Sequence, residues 1–100
     1  MSVKLTAALG FAAKAGKVKN GDSSAEKLLR SGAAHLVLLD TESSPSTSKK
    51  WHNKCAYYSV DIIEYESPGK YMGKPNSKVF AITDENFSEM ILQAYKAEKG

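Results

Sequence analysis

Cysteine and histidine are scarce in this sequence, and both shortages exclude kinds of site. Its 100 residues include one cysteine, Cys55, which cannot form an internal disulfide or a multi-cysteine zinc site. The two histidines, His35 and His52, lack the HxxxH or HExxH spacing of helical metal sites. We therefore expect no metal and no cofactor, and the lack of disulfides favours a reducing, cytoplasmic setting.

Long hydrophobic runs are also missing. No apolar stretch approaches the ~20 residues that cross a bilayer, so we expect no membrane partner. The N-terminal segment lacks the apolar core of a signal peptide because Lys4, Lys14 and Lys17 interrupt it. With 100 residues, 42% of them hydrophobic and 25% charged, the chain fits one globular domain over residues 1–100.

Motifs for catalysis are few. The glycines are too widely spaced for a Walker loop or a GxGxxG phosphate cradle. His52 and Cys55 lie three residues apart near one face of a predicted helix, which leaves a small hydrolase as the least favoured hypothesis. Cys55 is better explained as a small buried residue between Trp51 and Tyr58. We expect no catalytic residues.

Apolar periodicity predicts helices that alternate with short buried strands. In chain order the predictions are a helix over 3–14, a strand of one or two residues at Val18, a turn and N-cap at 20–23, a helix ending at Gly32, a strand over 35–39, a helix from Pro45, a strand over 61–65, a helical turn over 67–73, a strand over 79–82, and a final helix with a capping box at 86–89. This alternation favours an α/β fold, a three-layer α/β/α sandwich with a small mixed sheet of about four strands.

Two aspartates, Asp40 and Asp84, each follow a predicted buried strand. In α/β enzymes this position often carries ligand-binding groups. We interpret both carboxylates as helix caps or loop hydrogen-bond acceptors, which is the commoner role of aspartate after a strand.

Charge is distributed unevenly along the chain, although the overall net charge is only +3. Residues 1–54 hold nine Lys and Arg against four Asp and Glu, a net charge of +5. Residues 55–100 hold five basic and seven acidic residues, a net charge of −2. A basic half is typical of nucleic-acid binders, although many other domains share it.

The most informative segment spans residues 14–24, where three lysines lead into the predicted N-terminus of the second helix. The free backbone N–H groups and the positive dipole end of a helix N-terminus suit a phosphate. The polar side chains of this segment are Lys14, Lys17, Lys19, Asn20, Ser23 and Ser24. The alternative interpretation is a solvated basic turn with an ordinary N-cap.

Several segments, taken in order and spacing, resemble one family. They are Leu9-Gly10-Phe11-Ala12-Ala13-Lys14-Ala15-Gly16-Lys17, Gly21, Lys27, Arg30-Ser31-Gly32, Leu36-Val37-Leu38-Leu39, Lys54-Cys55-Ala56-Tyr57-Tyr58, Lys70-Tyr71-Met72-Gly73-Lys74 and Val79-Phe80-Ala81-Ile82-Thr83-Asp84. They are similar to the kink-turn-binding ribosomal-protein superfamily, the L-seven-Ae and L-thirty-e group, and most closely to its YlxQ-like bacterial branch.

The resemblance implies a small α/β/α sandwich that binds RNA and catalyses no reaction. Members of the family recognise sharply kinked RNA helices with sheared G·A pairs, through a Gly-x-Asn-Glu-x-x-Lys pattern at the second helix. Gly21 and Lys27 match this pattern, whereas Ser23 and Ser24 stand where the family has Asn and Glu. By this match Lys27 would donate to a guanine O6 and Gly21 would let the backbone approach a phosphate.

The loop before the last strand departs from the family pattern. Kink-turn binders usually carry apolar residues there, over an extruded base, but this chain has Lys74-Pro75-Asn76-Ser77-Lys78. A polar, basic loop suits phosphates better than it covers a base. We therefore expect structured RNA to be bound with less sequence selectivity.

The leading hypothesis is a non-enzymatic protein that binds structured RNA, ribosomal or kink-turn-like, with ribosome-associated proteins as further partners and no DNA. The expected contact face comprises Lys14, Lys17, Lys19, Gly21, Ser23, Ser24, Lys27, the loop 41–44, Lys70, Lys74 and Lys78. The alternative is a protein-interaction adaptor of the same fold that has lost its RNA contacts. A basic contact edge argues against this alternative.

Overall fold

The computed structural model describes residues 3–99. Its elements are α1 (Val3–Lys14), β1 (Val18–Asn20), α2 (Asp22–Ser31), β2 (Leu36–Asp40), α3 (Pro45–Tyr58), β3 (Asp61–Tyr65), a 3-10 turn (Pro68–Tyr71), β4 (Val79–Ile82) and α4 (Glu85–Lys99). Every predicted element is present. Across the described range, no helix combines the length and apolar character needed to span a membrane.

The four strands form one mixed sheet in the order β1-β4-β2-β3. Strand β4 runs antiparallel to both β1 and β2, whereas β2 and β3 are parallel. All five residues of β2 are buried, because this strand is central and is covered on both faces. The prediction from the continuous apolar run, a strand buried on both faces of the sheet, is therefore confirmed.

Helices cover both faces of the sheet and make three layers. Helices α1 and α4 pack on one face, and α2 and α3 pack on the other. Alternate strand residues fill the two cores: Leu36, Leu38 and Phe80 on the α1 and α4 side, and Val37, Leu39 and Ala81 on the α2 and α3 side. This arrangement confirms the predicted α/β/α sandwich.

Two helix starts differ from the sequence-based expectation. Helix α4 begins at Glu85, and the carboxylate of Asp84 accepts a hydrogen bond of 2.9 Å from the backbone N–H of Phe87. The capping box predicted at 86–89 was therefore wrong, because β4 ends early enough for Asp84 to cap the helix. Helix α2 has Gly21 at its N-cap, with φ 99 and no side-chain cap. The first-turn N–H groups of α2 are thus left without a capping side chain.

Candidate RNA interface

Four loops meet at one end of the sheet. The carboxyl ends of β1, β2 and β3 lie at this end, together with the start of antiparallel β4, because Asn20 pairs with Phe80 and Asp40 pairs with Tyr65. We call this surface the loop edge and define it as residues 20–24, 41–44, 66–70 and 74–78. The topology therefore brings together segments that are as many as 58 positions apart in the printed sequence.

The entry to α2 is tied to the loop before β4. The Asn20 side chain donates a hydrogen bond of 2.7 Å from Nδ2 to the hydroxyl of Ser77. The backbone N–H of Gly21 donates to the carbonyl of Val79 at 3.0 Å. These two bonds fix the start of α2 against residues 77–79, so the uncapped helix N-terminus and the basic loop act as one surface.

Asp40 joins three loops of this edge with a buried carboxylate. Its Oδ1 accepts hydrogen bonds from the backbone N–H of Glu42 at 2.9 Å and of Ser67 at 3.5 Å. Its Oδ2 lies 3.9 Å from the ammonium of Lys78, whose carbonyl accepts the Asp40 backbone N–H at 2.8 Å. The interpretation of Asp40 as a loop hydrogen-bond acceptor is confirmed, and Lys78 is shared between this carboxylate and solvent.

Gly69 shapes the chain between Lys70, which lies inside the 3-10 turn, and Lys74, which follows the turn. Its carbonyl accepts the backbone N–H of Met72 at 3.1 Å and of Lys74 at 2.8 Å, which folds the chain back on itself. A Cβ at Gly69 would overlap the carbonyl oxygen of Lys74 and would lie 3.0 Å from the ring of Phe80. Only glycine leaves room for this approach, so Gly69 sets the path from the turn into the loop 74–78.

The outer face of α2 carries the base-recognition candidates. Ser23, Lys27, Glu26 and Arg30 line a shallow groove of about 240 Å³. Both Ser23 and Lys27 are exposed. The Glu26 carboxylate lies 2.8 Å from Arg30 and 3.4 Å from Lys54, and the hydrogen bond from Arg30 is the main cause of its lowered pKa. Glu26 therefore stays ionised and neutralised, which limits its repulsion of a phosphate.

Some lysines at or near this edge form ion pairs with carboxylates, and others do not. Lys50 lies 3.6 Å from Asp22 in the first turn of α2, and Lys78 faces Asp40. Within residues 3–99, the ammonium groups of Lys27, Lys70 and Lys74 form no ion pair. These three lysines are exposed.

The lysines that precede α2 in sequence do not all reach the loop edge. The carbonyl of Lys17 accepts the backbone N–H of Thr83 at 2.9 Å, at the opposite end of the β1 and β4 pair. Strand β1 separates Lys17 from Gly21 by roughly 13 Å, at about 3.3 Å for each residue. Lys14 lies in a groove along α1, and Lys19 is exposed in the middle of the edge strand. Lys17 therefore lies away from the loop edge, whereas Lys14 lies beside the segment 71–73, and an RNA contact of either lysine stays a prediction.

The remaining predicted residues do come together. Gly21, Ser23, Ser24, Lys27, Lys70, Lys74 and Lys78 all belong to the loop edge or to the first two turns of α2. Sequence reasoning missed Gly69 and the Asn20 to Ser77 bond as parts of this surface. The Pro-Gly pair at 68–69 was the only local signal for the former.

His52 and Cys55 do not form a nucleophile and base pair. The Nε2 of His52 lies 2.7 Å from Glu64 Oε2, which also accepts a 2.8 Å hydrogen bond from the Ser48 hydroxyl. Burial raises the pKa of the Cys55 thiol to about 11, the opposite of an activated thiolate. In the part of the chain that is described, no three His, Cys, Asp or Glu side chains are grouped as metal ligands would be.

Comparison with known proteins identifies the family to which this geometry belongs. The sequence model of the ribosomal protein L7Ae/L30e/S12e/Gadd45 family matches residues 3–92, which include the whole loop edge. The chain belongs to this family. The resemblance noted from the sequence is thereby confirmed.

Two relatives of the chain are named as RNA-binding proteins. The chain is 38% identical to the RNA-binding protein YlxQ of Bacillus subtilis (strain 168), over 84% of this chain and 87% of that protein. It is 33% identical to the RNA-binding protein YlxQ of Enterococcus faecium, over 81% of each chain.

Solved structures show the same L7Ae-like fold. A protein of unknown function from Bacillus halodurans superposes with a TM-score of 0.88 at 25% identity, over 96% of this chain and 99% of that one. A 15.5kD RNA binding protein from Giardia lamblia superposes with a TM-score of 0.74 at 18% identity, over 97% and 87% of the two chains. The latter likeness concerns the fold alone.

Proposed function

We propose that this protein binds structured RNA, kink-turn-like or ribosomal, through the loop edge and without catalysing a reaction. The observation that carries the proposal is the uncapped N-terminus of α2, held beside the basic loop 74–78 by Gly21 and Asn20. A helix N-terminus without a side-chain cap offers backbone N–H groups and a positive dipole end to a phosphate. Membership of a family with RNA-binding relatives supports the same conclusion.

Phosphate contacts would supply most of the affinity. Lys27, Lys70 and Lys74 have no carboxylate partner among the described residues, and they lie in α2, in the 3-10 turn and in the loop 74–78. Exposed lysines on three neighbouring segments can neutralise several phosphates of one structured RNA. Lys78 would contribute less, because Asp40 already partly neutralises it.

Base recognition would come from the first turns of α2. Ser23 and Ser24 each present one hydroxyl, and Lys27 lies on the same helix face one turn later. A hydroxyl on a short arm makes fewer directed contacts than an amide or a carboxylate. We therefore expect this protein to select RNA shape strongly and base identity weakly.

A charge-matched pair of variants tests the proposal. Changing Lys27, Lys70 and Lys74 together to Gln is expected to weaken binding to a kink-turn RNA by more than about tenfold, and to lower the salt slope by about one for each lost contact. The control carries the same charge change at three exposed lysines away from the loop edge, Lys4, Lys17 and Lys96. Binding is measured by fluorescence anisotropy at several salt concentrations, with a DNA of the same sequence beside the RNA.

The control variant is expected to keep the affinity and the salt slope of the unmodified protein. Equal losses in both variants would mean that net charge alone drives association. No affinity of the unmodified protein for the RNA at low salt would contradict the proposal and favour the adaptor of the same fold.

Cys55 is expected to contribute to stability and not to binding. It is fully buried beside Trp51, so Cys55→Ala removes core contacts and should lower the free energy of unfolding by about 1 kcal/mol. Urea unfolding measures this change, and the RNA titration should be unaltered. A selective loss of RNA binding at unchanged stability would place the binding surface elsewhere.

A further inference from the structure

A second surface, remote from most of the loop edge, exposes large apolar side chains. Among residues 3–99 the exposed large hydrophobic residues are Phe11, Tyr57 and Met90, at 58%, 81% and 46%. Phe11 projects from α1 and Met90 from α4, the two helices on the same face of the sheet. Exposed apolar groups that share one face of a small domain mark interaction surfaces more often than scattered ones do.

Two apolar depressions of about 480 and 510 Å³ flank Phe11. The first is lined by Ala7, Gly10, Phe11, Ala13, Lys14, Tyr71, Met72 and Gly73, and the second by Lys4, Ala7, Ala8, Phe11, Met90, Gln93, Ala94 and Ala97. Because Ala7 and Phe11 belong to both, the depressions are continuous across α1. We call them together the α1 groove.

The shape of the α1 groove fits a helix. Its walls are α1 with α4 on one side and the segment 71–73 on the other, and half of its lining residues are alanine or glycine. Small residues let a partner helix approach to the 8–10 Å axis separation of packed helices. Lys4, Ala7, Phe11 and Lys14 follow one another at helical spacing along the exposed side of α1.

Charge narrows the choice of partner. The only charged side chains that line the groove are Lys4 and Lys14, and helix α1 contains no acidic residue. Ten residues separate these lysines, which is about 15 Å along a helix axis. Glu89 on α4 does not line the groove, and its carboxylate accepts a 3.1 Å hydrogen bond from Gln93, which does. A second copy of the chain would set lysine against lysine across a twofold axis, which disfavours self-association.

We propose that the α1 groove binds an amphipathic helix of a partner protein. The apolar side of that helix covers Phe11 and Met90. Two of its carboxylates, about three helical turns apart, pair with Lys4 and Lys14. The proposal does not depend on RNA binding at the loop edge, since only the segment 71–73 adjoins both surfaces.

A pair of synthetic helical peptides tests this proposal on the full chain. Both peptides carry the same leucine and alanine stripe over about four turns, and they differ only at two positions ten residues apart, which are Glu in one and Lys in the other. The amide signals of the labelled protein are followed by NMR while each peptide is added. The Glu peptide is expected to shift the signals of α1, α4 and 71–73, and to bind about tenfold more tightly than the Lys peptide.

Charge reversal in the protein supplies the matched control. The variant Lys4→Glu with Lys14→Glu is expected to reverse the peptide preference, whereas Phe11→Gln should abolish binding of both peptides. Because Phe11 is 58% exposed, Phe11→Gln should leave the fold intact, which the unchanged NMR spectrum outside α1 checks. Retained RNA affinity in these variants is a separate readout of the loop edge.

Four results would overturn the proposal. They are equal affinity for the two peptides, no spectral change at millimolar peptide, concentration-dependent dimerisation through Phe11, and binding of anionic phosphatidylserine vesicles or RNA at α1 in place of the peptide. The absence of any spectral change would show that the groove is an ordinary exposed face. Dimerisation through Phe11, or binding of vesicles or RNA, would assign another occupant to the groove.

Discussion

Gly69→Ala is expected to lower the free energy of unfolding by about 3 kcal/mol, near the upper end for overpacked sites, and to weaken RNA binding in the molecules that remain folded. The added Cβ would overlap the carbonyl oxygen of Lys74 and would lie 2.9 Å from its carbonyl carbon. These are backbone atoms, so a side-chain rotation cannot relieve the contact. The loop 74–78 must move, and the hydrogen bond from Lys74 to Gly69 is lost with it.

Gly10→Ala is the matched control for this substitution. A Cβ at Gly10 meets only the Tyr71 carbonyl oxygen at 3.6 Å, which is ordinary contact, and the residue lies inside α1. Alanine in a helix interior is favoured over glycine by roughly 0.5–1 kcal/mol, so this variant should be as stable as the unmodified protein or more stable. Urea unfolding of both variants checks the contrast. Equal stabilities would mean that the turn at 68–71 yields more easily than its packing indicates.

Changing Ser23 to Asn and Ser24 to Glu together is expected to raise the preference for kink-turn RNA over a plain duplex about tenfold. One good bidentate contact to a base edge is worth about 1–3 kcal/mol of discrimination, and Asn and Glu can make such contacts where a serine hydroxyl cannot. Both positions are exposed in the first turn of α2, so the larger side chains need no rearrangement of the core. Anisotropy titrations with the two RNAs at one salt concentration give the ratio.

Two further variants separate the causes of that change. Adding Lys27→Ala should remove the gain, because Lys27 lines the same groove as Ser23 and follows Ser23 and Ser24 by one helical turn. Replacing Ser24 by Gln beside Ser23→Asn keeps the length of the side chain without its charge. The added Glu should weaken non-specific binding of a plain duplex, because its negative charge lies near the phosphates. The Asn and Gln variant should weaken duplex binding less, because it adds no negative charge. An unchanged ratio in the Asn and Glu variant would shift specificity to the loop 74–78.

The fold followed from the sequence wherever a local signal and the tertiary structure agreed. The run at 36–39 is apolar on both faces, and it became the central strand because helices lie above and below it. The spacing of Trp51 and Cys55 placed both on the buried side of α3. The cap of α4 was less predictable, because Asp84 and Asn86 are both good capping residues. Only the position where β4 ends in space decides between them.

The spatial arrangement of the candidate site was predicted less completely, because residues close in sequence were expected to be close in space. Lys14 and Lys17 precede Gly21 by a few residues, yet strand β1 carries the chain away from Lys17 before α2 begins. The opposite error concerns Asn20 and Ser77, which are 57 residues apart and hydrogen-bonded. No periodicity or turn signal reports such a pairing, because it arises from the antiparallel register of β1 and β4.

Mapping the bound RNA on the protein tests the central claim most directly. The labelled chain is titrated with a kink-turn RNA, and the shifts of its backbone amide signals are followed by NMR. We predict the largest shifts at residues 20–27, 41–44, 66–70 and 74–78, with the helices α1 and α4 unaffected. The largest shifts at Lys14 and Lys17, or on the α1 and α4 face, would contradict an interface at the loop edge.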